Sequence, residues 1–194
     1  MKKHLFLTGP SGTGKTTLIR EALGGSIAYA GGYITERSLN ADGSLSGFEL
    51  YPAAAAADFQ YYDGLRFLDY GTVPPGKDNE VFRGPAAQML KEAEYYDFAV
   101  IDEFGGFEML IPQYRNALAD FLNLDLPIVG VLKGSESARE LQHRFGLGDK
   151  YIMLTDNLRC VLEQDEDSAV IEVKQRGDAA AKRILDRWVS EYVK

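Results

Sequence analysis

The chain opens on a short apolar run, His4 to Thr8, stopped by Gly9, which predicts a buried first strand. "KTTLIREALGG" then places Leu18 and Ala22 at helical spacing and ends on Gly24 and Gly25, a helix with its stop signal. "IAYAGGYITE" and "SLSGFELY" are β-prone runs flanking "LNADGS", whose Asp-Gly pair predicts a hairpin turn. The run Ala53 to Ala57 suits either a helix or a small-residue packing surface. Asp63 to Gly84, rich in Gly and Pro, reads as a long exposed loop or a strand with an excursion, placed to cover a site. Next come a helix ("PAAQMLKEAEYY"), a buried strand ("DFAVIDE"), a helix opened by Pro112 ("PQYRNALADFLN") and another buried strand ("LPIVGVLK"). "ESARELQHRF" reads as a helix, and "KYIMLT" and "AVIEV" read as strands. The end, about residues 177–193, is a helix with Ala181, Leu185, Trp188 and Tyr192 on one face. Alternation of this kind predicts an α/β fold, a mainly parallel sheet with helices on both faces and a β-hairpin after the first helix.

Composition narrows this picture. A length of 194 residues is that of one domain, so a single core spanning 1–194 is expected, and no internal repeat is found. An apolar share of 45% and a charged share of 26% exclude a disordered chain or a fibre. The net charge of -8 works against nucleic-acid binding unless the bases gather in space, and no basic run is present. Cys160 is the one cysteine, and with His4 and His143 beside it no metal-ligand spacing exists, which points to a reducing, cytoplasmic setting. "MKKHLFLTGP" resembles the start of a secretion signal, but its apolar run stops after about five residues. No stretch approaches the roughly 18 apolar residues of a membrane span.

The chemistry begins at "GPSGTGKTT". Gly9, Gly12, Gly14, Lys15 and Thr16 fit GxxxxGK[ST], between a predicted strand and a predicted helix. Phosphate binding needs glycines there because backbone N–H groups must close on the phosphates without a Cβ in the way, while the helix directs its positive end at them. The nucleotide-binding set is therefore Gly9, Pro10, Ser11, Gly12, Thr13, Gly14, Lys15, Thr16 and Thr17. Lys15 reaches the outer phosphates, and Thr16 supplies a hydroxyl to Mg²⁺.

Such a loop needs a carboxylate on a neighbouring strand to hold the metal, and "FAVIDE" supplies four apolar residues followed by Asp102. In an open sheet ligands gather at the carboxyl ends of the strands, where Lys15 and Asp102 both fall. Glu103, directly after Asp102, is placed to orient and deprotonate an attacking water; the competing reading pairs it with Arg37 or Lys133. Arg37 is either a charge stabiliser near the terminal phosphate or a plain hairpin arginine. Lys133 and Arg159 read as surface bases, with a phosphate contact as the alternative. The tyrosine pairs at 61 and 62 and at 95 and 96 read as core or rim.

These residues resemble the small P-loop nucleoside-triphosphatases, also called cancer-related nucleoside-triphosphatases. The resemblance rests on "GPSGTGKTT", on "GGYITERSLNADGSLSGFEL", on "DFAVIDEFGGFEML" and on "LTDNLRCVL", in order from residue 5 to about 162. It implies a compact three-layer P-loop fold that binds ATP, GTP and other nucleoside triphosphates with Mg²⁺ and slowly hydrolyses the terminal phosphate. Carried over by position, it implies Lys15 and Thr16 for phosphate and metal, Asp102 and Glu103 for metal and water, and family positions at Glu36, Arg37 and Glu108. The chain departs from the pattern at Leu45, where an arginine is expected, at the adjacent Glu36 and Arg37, and at Leu158 between Asn157 and Arg159. Residues 66–82 do not follow the family, and the last thirty or so extend beyond it.

Taken together these readings point to a Mg²⁺-dependent nucleoside-triphosphatase with Glu103, Lys15 and Arg37 as catalytic residues and Thr16 and Asp102 as metal ligands. Two others stay open. A small nucleotide or nucleoside kinase would use residues 66–82 to hold a phosphate acceptor and the arginines of "ARELQHRF" as a lid. A nucleotide-controlled binding module would order a loop for a protein partner, whose nature the residues do not specify.

Overall fold

The computed structural model describes residues 1–193. In chain order the strands are β1 (His4–Thr8), β2 (Gly31–Leu39), β3 (Leu45–Pro52), β4 (Leu65–Asp69), β5 (Gly76–Lys77), β6 (Ala99–Phe104), β7 (Ile128–Leu132) and β8 (Ser168–Glu172). The helices are α1 (Lys15–Leu23), α2 (Asn79–Val81), α3 (Ala87–Glu92), α4 (Pro112–Leu122), α5 (Ser135–Phe145), α6 (Asp149–Gln164) and α7 (Ala179–Tyr192).

All eight strands form one sheet in the order β5-β4-β3-β2-β6-β7-β1-β8. The part from β2 through β8 is parallel, and β3, β4 and β5 add an antiparallel wing. The period-2 pattern of a strand explains the two cores. Leu5 and Leu7 of β1 pack on the face covered by α1 and α7, with Val100, Val129, Val131 and Trp188. Phe6 points to the other face and meets Ile101, Tyr114, Phe121 and Leu162 under α3, α4 and α6. An α/β domain with helices on both faces follows from these two apolar surfaces.

Local chemistry sets the helix ends that matter for the site. Gly14, at φ 83°, ends the loop before α1 in a left-handed conformation that glycine adopts without a Cβ clash. At α7, Asp178 accepts hydrogen bonds from Ala180 N at 3.0 Å and Ala181 N at 3.1 Å, satisfying donors that the first turn leaves free. Trp188 then donates from Nε1 to Lys3 O at 2.9 Å, fastening α7 to the start of β1.

The expected hairpin is β2 and β3. Asp42 accepts from Ser44 N at 2.9 Å and Gly43 takes φ 79° in its turn. "IAYA" before β2 is a 3₁₀ turn rather than strand, and the alanine run is another, with Ala53 and Ala55 buried. Of the two readings for 63–84 the strand with an excursion is the one realised: β4 and β5 pair at the sheet's edge, and a π-helical turn at Phe82–Ala86 containing Pro85 joins α2 to α3.

One element differs outright from the sequence-based expectation. "KYIMLT" is not a strand but the first half of α6. A short apolar run fits a strand or a helix equally, and length arbitrates between them. Over the 16 residues of α6, Tyr151, Thr155, Leu158 and Leu162 fall on one buried face at helical spacing.

Candidate functional site

β1 delivers the chain to the carboxyl edge of the sheet, where Gly9, Gly12 and Gly14 take φ of 123°, 81° and 83°. At Gly9 an added Cβ would come within 2.4 Å of Val173 O, so the loop lies against the chain just past β8 and tolerates no side chain there. Thr13 Oγ1 donates to Pro10 O at 3.0 Å, and Lys15 Nζ donates to Gly9 O at 3.0 Å and Pro10 O at 2.7 Å. The first helical bond of α1 runs from Leu18 N to Gly14 O at 2.9 Å. The N–H groups of Lys15, Thr16 and Thr17 thus have no partner within the helix, and they carry its positive end toward the loop.

β6 supplies the carboxylates through an irregularity. Its pairing with β7 is regular to Ile101 and resumes at Phe104, with Asp102 and Glu103 forming the shift between. Glu103 takes φ 56°, the one positive value at a non-glycine among the described residues. A bulge re-aims side chains that would otherwise alternate strictly across a strand. Asp102 turns inward, 1% exposed, and accepts from Thr16 Oγ1 at 2.9 Å and from Thr35 Oγ1 at 3.1 Å and N at 3.3 Å. Burial, and then the neighbouring Glu103 charge, push its carboxyl up to about 6 against the pull of those three bonds.

Glu103 turns to the cavity in front of the loop. Lys133, one step past β7, donates from Nζ to Glu103 Oε1 at 2.6 Å. Burial pushes the Glu103 carboxyl up, but the charge and hydrogen bond of Lys133, with Lys15 and Arg37, outweigh it and hold it below the ordinary glutamate value. Burial lowers the Lys15 ammonium, reinforced by the charges of Lys133 and Arg37.

The cavity measures about 290 Å³ and collects Lys15, Arg20, Arg37, Lys133 and Arg176 on a chain whose net charge is -8. The bases that the sequence scatters are thus gathered where phosphate charge would lie. Two of the predicted residues face away from it: Pro10 borders a separate space behind the loop, and Thr13 is buried under it.

A family model described as NTPase matches residues 4–164. The chain belongs to the NTPase family. Among solved structures, that of THEP1 from the hyperthermophile Aquifex aeolicus is similar over 98% of this chain and 99% of its own, with a TM-score of 0.66 and 18% identity. The solution structure of a human cancer-related nucleoside triphosphatase is similar over 84% and 99%, with a TM-score of 0.52 and 22% identity. No curated protein matches the sequence.

The NTPase-family fold thus places Gly9, Ser11, Gly12, Gly14, Lys15, Thr16 and Thr17 on the cavity wall, together with Arg37 and Glu103, and sets Asp102 directly behind Thr16. The donor set of Thr16 and Asp102 is one hydroxyl and one carboxylate. All-oxygen donors in this small number fit Mg²⁺, which keeps several waters and takes its remaining contacts from phosphate. Two of the family positions fall apart in space. Glu36 pairs with Arg20 beside the loop, whereas Glu108 is 3% exposed beyond Glu103 and accepts from Gly106 N at 2.5 Å.

Two expectations are corrected. Lys133 is not a solvated lysine; its side chain is 13% exposed and bound to Glu103. Arg159 is not a free surface base: its side chain is 19% exposed, and its Nη2 donates to Lys133 O at 2.6 Å and Thr8 Oγ1 at 3.3 Å, tying the ends of β7 and β1 together from behind. Sequence reasoning missed Thr35, Arg20 and Arg176. Arg20 carried a signal, since it stands four residues after Thr16 on one helix and so shares its face. Arg176 lies in a turn after β8 with nothing local to mark it.

Proposed function

We infer that the protein binds a nucleoside triphosphate with Mg²⁺ across the carboxyl edge of the parallel sheet and hydrolyses it to diphosphate and phosphate. The observation that carries this reading is the division of labour in the β6 bulge: Asp102 goes inward to Thr16, and Glu103 goes outward to the cavity. Family membership and the human neighbour, a nucleoside triphosphatase, support it.

In this reading the loop N–H groups and Lys15 hold the phosphates, and Thr16 with Asp102 hold the metal. Bound Mg²⁺ supplies neutralisation of charge on the outer phosphates. Glu103 accepts the proton of the attacking water as its oxygen bonds to the terminal phosphorus and the bond to the bridging oxygen breaks. Arg37 and Lys133 face the charge that accumulates on the transferring group. ATP, GTP and other triphosphates are all substrates, with the cytoplasm as the setting.

The test is phosphate release from ATP and from GTP with Mg²⁺ and no added acceptor. Native protein should release phosphate, Lys15→Ala should bind nucleotide poorly, and Glu103→Gln should bind but release about 10²- to 10⁴-fold more slowly. Undiminished release by Glu103→Gln would remove it as the base.

A further inference from the structure

The five basic side chains that line the phosphate cavity differ in whether the protein already holds them. Arg20 is paired with Glu36 and Lys133 with Glu103, while Lys15 donates to the carbonyls of the loop itself. Arg37 and Arg176 border the same cavity and have no carboxylate partner among the described residues. A guanidinium in that position is free to bind an anionic oxygen of a ligand. The two stand at opposite ends.

The sheet order fixes what each end meets. β6, β7, β1 and β8 are consecutive neighbours, and their carboxyl ends deliver in turn Glu103, Lys133, the phosphate loop and Arg176. Neighbouring strands lie about 4.8 Å apart, so β6 and β8 are separated by roughly 14 Å. Arg37 belongs to β2, on the far side of β6 from the loop, and its charge acts on Glu103. Beyond Glu103 and Lys133 a second cavity of about 260 Å³ opens, walled in part by Phe67, Phe82 and Phe107. Both charged residues border it as well, so they stand between it and the loop. With the terminal phosphate in front of Glu103, the rest of the nucleotide runs the other way, across β1 toward β8.

Arg176 stands at that end on a turn held from both sides. Val173 N donates to Thr8 O at 2.8 Å, and Asp178, the cap of α7, also accepts from Lys174 N at 3.2 Å. Arg176 Cγ lies 3.6 Å from where a Cβ on Gly14 would stand. The stem of the side chain thus rests on the last glycine of the loop, whose N–H groups cradle the α and β phosphates in this motif. The family match ends at residue 164, so this turn belongs to a part of the chain that the match does not cover.

We propose that Arg176 binds the α-phosphate of the nucleotide, the group that triphosphate substrate and diphosphate product share, and that the C-terminal segment is thereby part of the nucleotide site. This rests on the nucleotide reading above and adds a binding residue to it. A contact made alike in substrate and transition state contributes uniform binding, so its loss raises KM and leaves kcat in place. The same contact holds the diphosphate after the terminal phosphate has gone, so Arg176 strengthens product inhibition to the same extent.

The test uses the full chain with Mg²⁺, measuring kcat and KM for ATP and GTP and inhibition constants for ADP and inorganic tripolyphosphate. Arg176→Ala should raise both KM values and both inhibition constants by a common factor of about 10 or more, the loss of a charge-assisted hydrogen bond, with kcat within about twofold of native. Arg176→Lys keeps the charge and should recover part of the loss. Arg183→Ala removes the same charge from the exposed side of α7, away from the cavity, and should change none of these values. A lowered kcat with ADP inhibition unaltered would place Arg176 on the terminal phosphate. Weaker ATP and ADP binding with tripolyphosphate unaltered would place it on the nucleoside. Either result overturns the proposal, as do native constants throughout in Arg176→Ala. Failure of the native protein to bind ATP and ADP would instead strike the nucleotide reading itself.

Discussion

Lys133 Nζ stands 2.6 Å from Glu103 Oε1, joining the carboxyl ends of two adjacent parallel strands at the mouth of the phosphate cavity. The sequence offered two alternatives for Glu103, a base for water or half of an ion pair, and the geometry makes them compatible. The glutamate side chain is 37% exposed and its partner 13%, so solvent screens the attraction on one side and the pair's main effect is positional. Lys133 holds the carboxylate at the wall shared by the two cavities, and Arg159 holds the Lys133 carbonyl from behind.

The backbone at Glu103 gives the first prediction. Its φ of 56° is the left-handed region, which disfavours any residue with a Cβ by about 1–2 kcal/mol. Glu103→Ala and Glu103→Gly both lose the carboxylate, but only glycine relieves the strain, against its own entropic cost of about 0.5–1 kcal/mol. The glycine variant should be the more stable of the two by on the order of 0.5–1 kcal/mol, the reverse of the order at a regular strand position. Urea unfolding of both variants checks this, and a more stable alanine variant would remove the strain from the account.

Thr35 bonds Asp102 through both its hydroxyl and its amide, so it orients the carboxylate proposed to hold Mg²⁺ without itself taking that role. Loss of such a supporting contact typically weakens metal affinity about 10- to 100-fold. Thr35→Ala should raise the Mg²⁺ concentration for half-maximal phosphate release by that factor and recover most of the rate at saturating Mg²⁺. An unchanged Mg²⁺ titration would argue that Asp102 is held well enough by its other partners.

Glu108 links the site to stability. Burial raises its carboxyl from the ordinary 4.5 to about 7 in the folded protein. Below pH 4.5 the folded and unfolded states are both protonated and the group has no effect; between 4.5 and 7 the unfolded state releases its proton first, so stability falls as pH rises, and above 7 the loss is complete. A rise of this size corresponds to a loss on the order of 3 kcal/mol. Glu108→Gln, whose amide oxygen can still accept from Gly106 N, should match the native protein at pH 4.5 and exceed its stability at pH 8. Parallel unfolding curves for the two proteins across that range would show that Glu108 does not titrate in this way.

The expectation of one domain is tested at the far end of the chain. The family match stops at residue 164, yet β8 pairs with β1, and Trp188, 0% exposed, packs in the same core as Leu5 and Val129. Trp188→Ala should destabilise by about 3–5 kcal/mol. If residues 1–194 form one domain, the loss should appear as a shift of a single unfolding transition reported alike by far-UV circular dichroism and tyrosine fluorescence. Two separated transitions would make the C-terminal segment an independent unit.

The phosphate loop, the hairpin, the buried strands β1, β6 and β7 and the amphipathic α7 were legible in the sequence, because each is dictated by neighbours within a few residues: glycine where no Cβ fits, apolar positions at period 2 or 3.6, a turn pair between two strands. Asp102 and Thr16 could be named for the same reason, each standing at the end of a locally recognisable element. Only the tertiary structure decided where the Asp102–Glu103 bulge turns its two carboxylates, since that depends on the register of β6 against β7. It also decided that "KYIMLT" is helical, because the short apolar run becomes one face of α6 only when it packs against the sheet. Lys133 on Glu103, Arg159 behind both, and the aromatic cavity beyond them join residues far apart along the chain. Contacts of that kind arise from the packing of whole layers, and no local pattern of residue types encodes them.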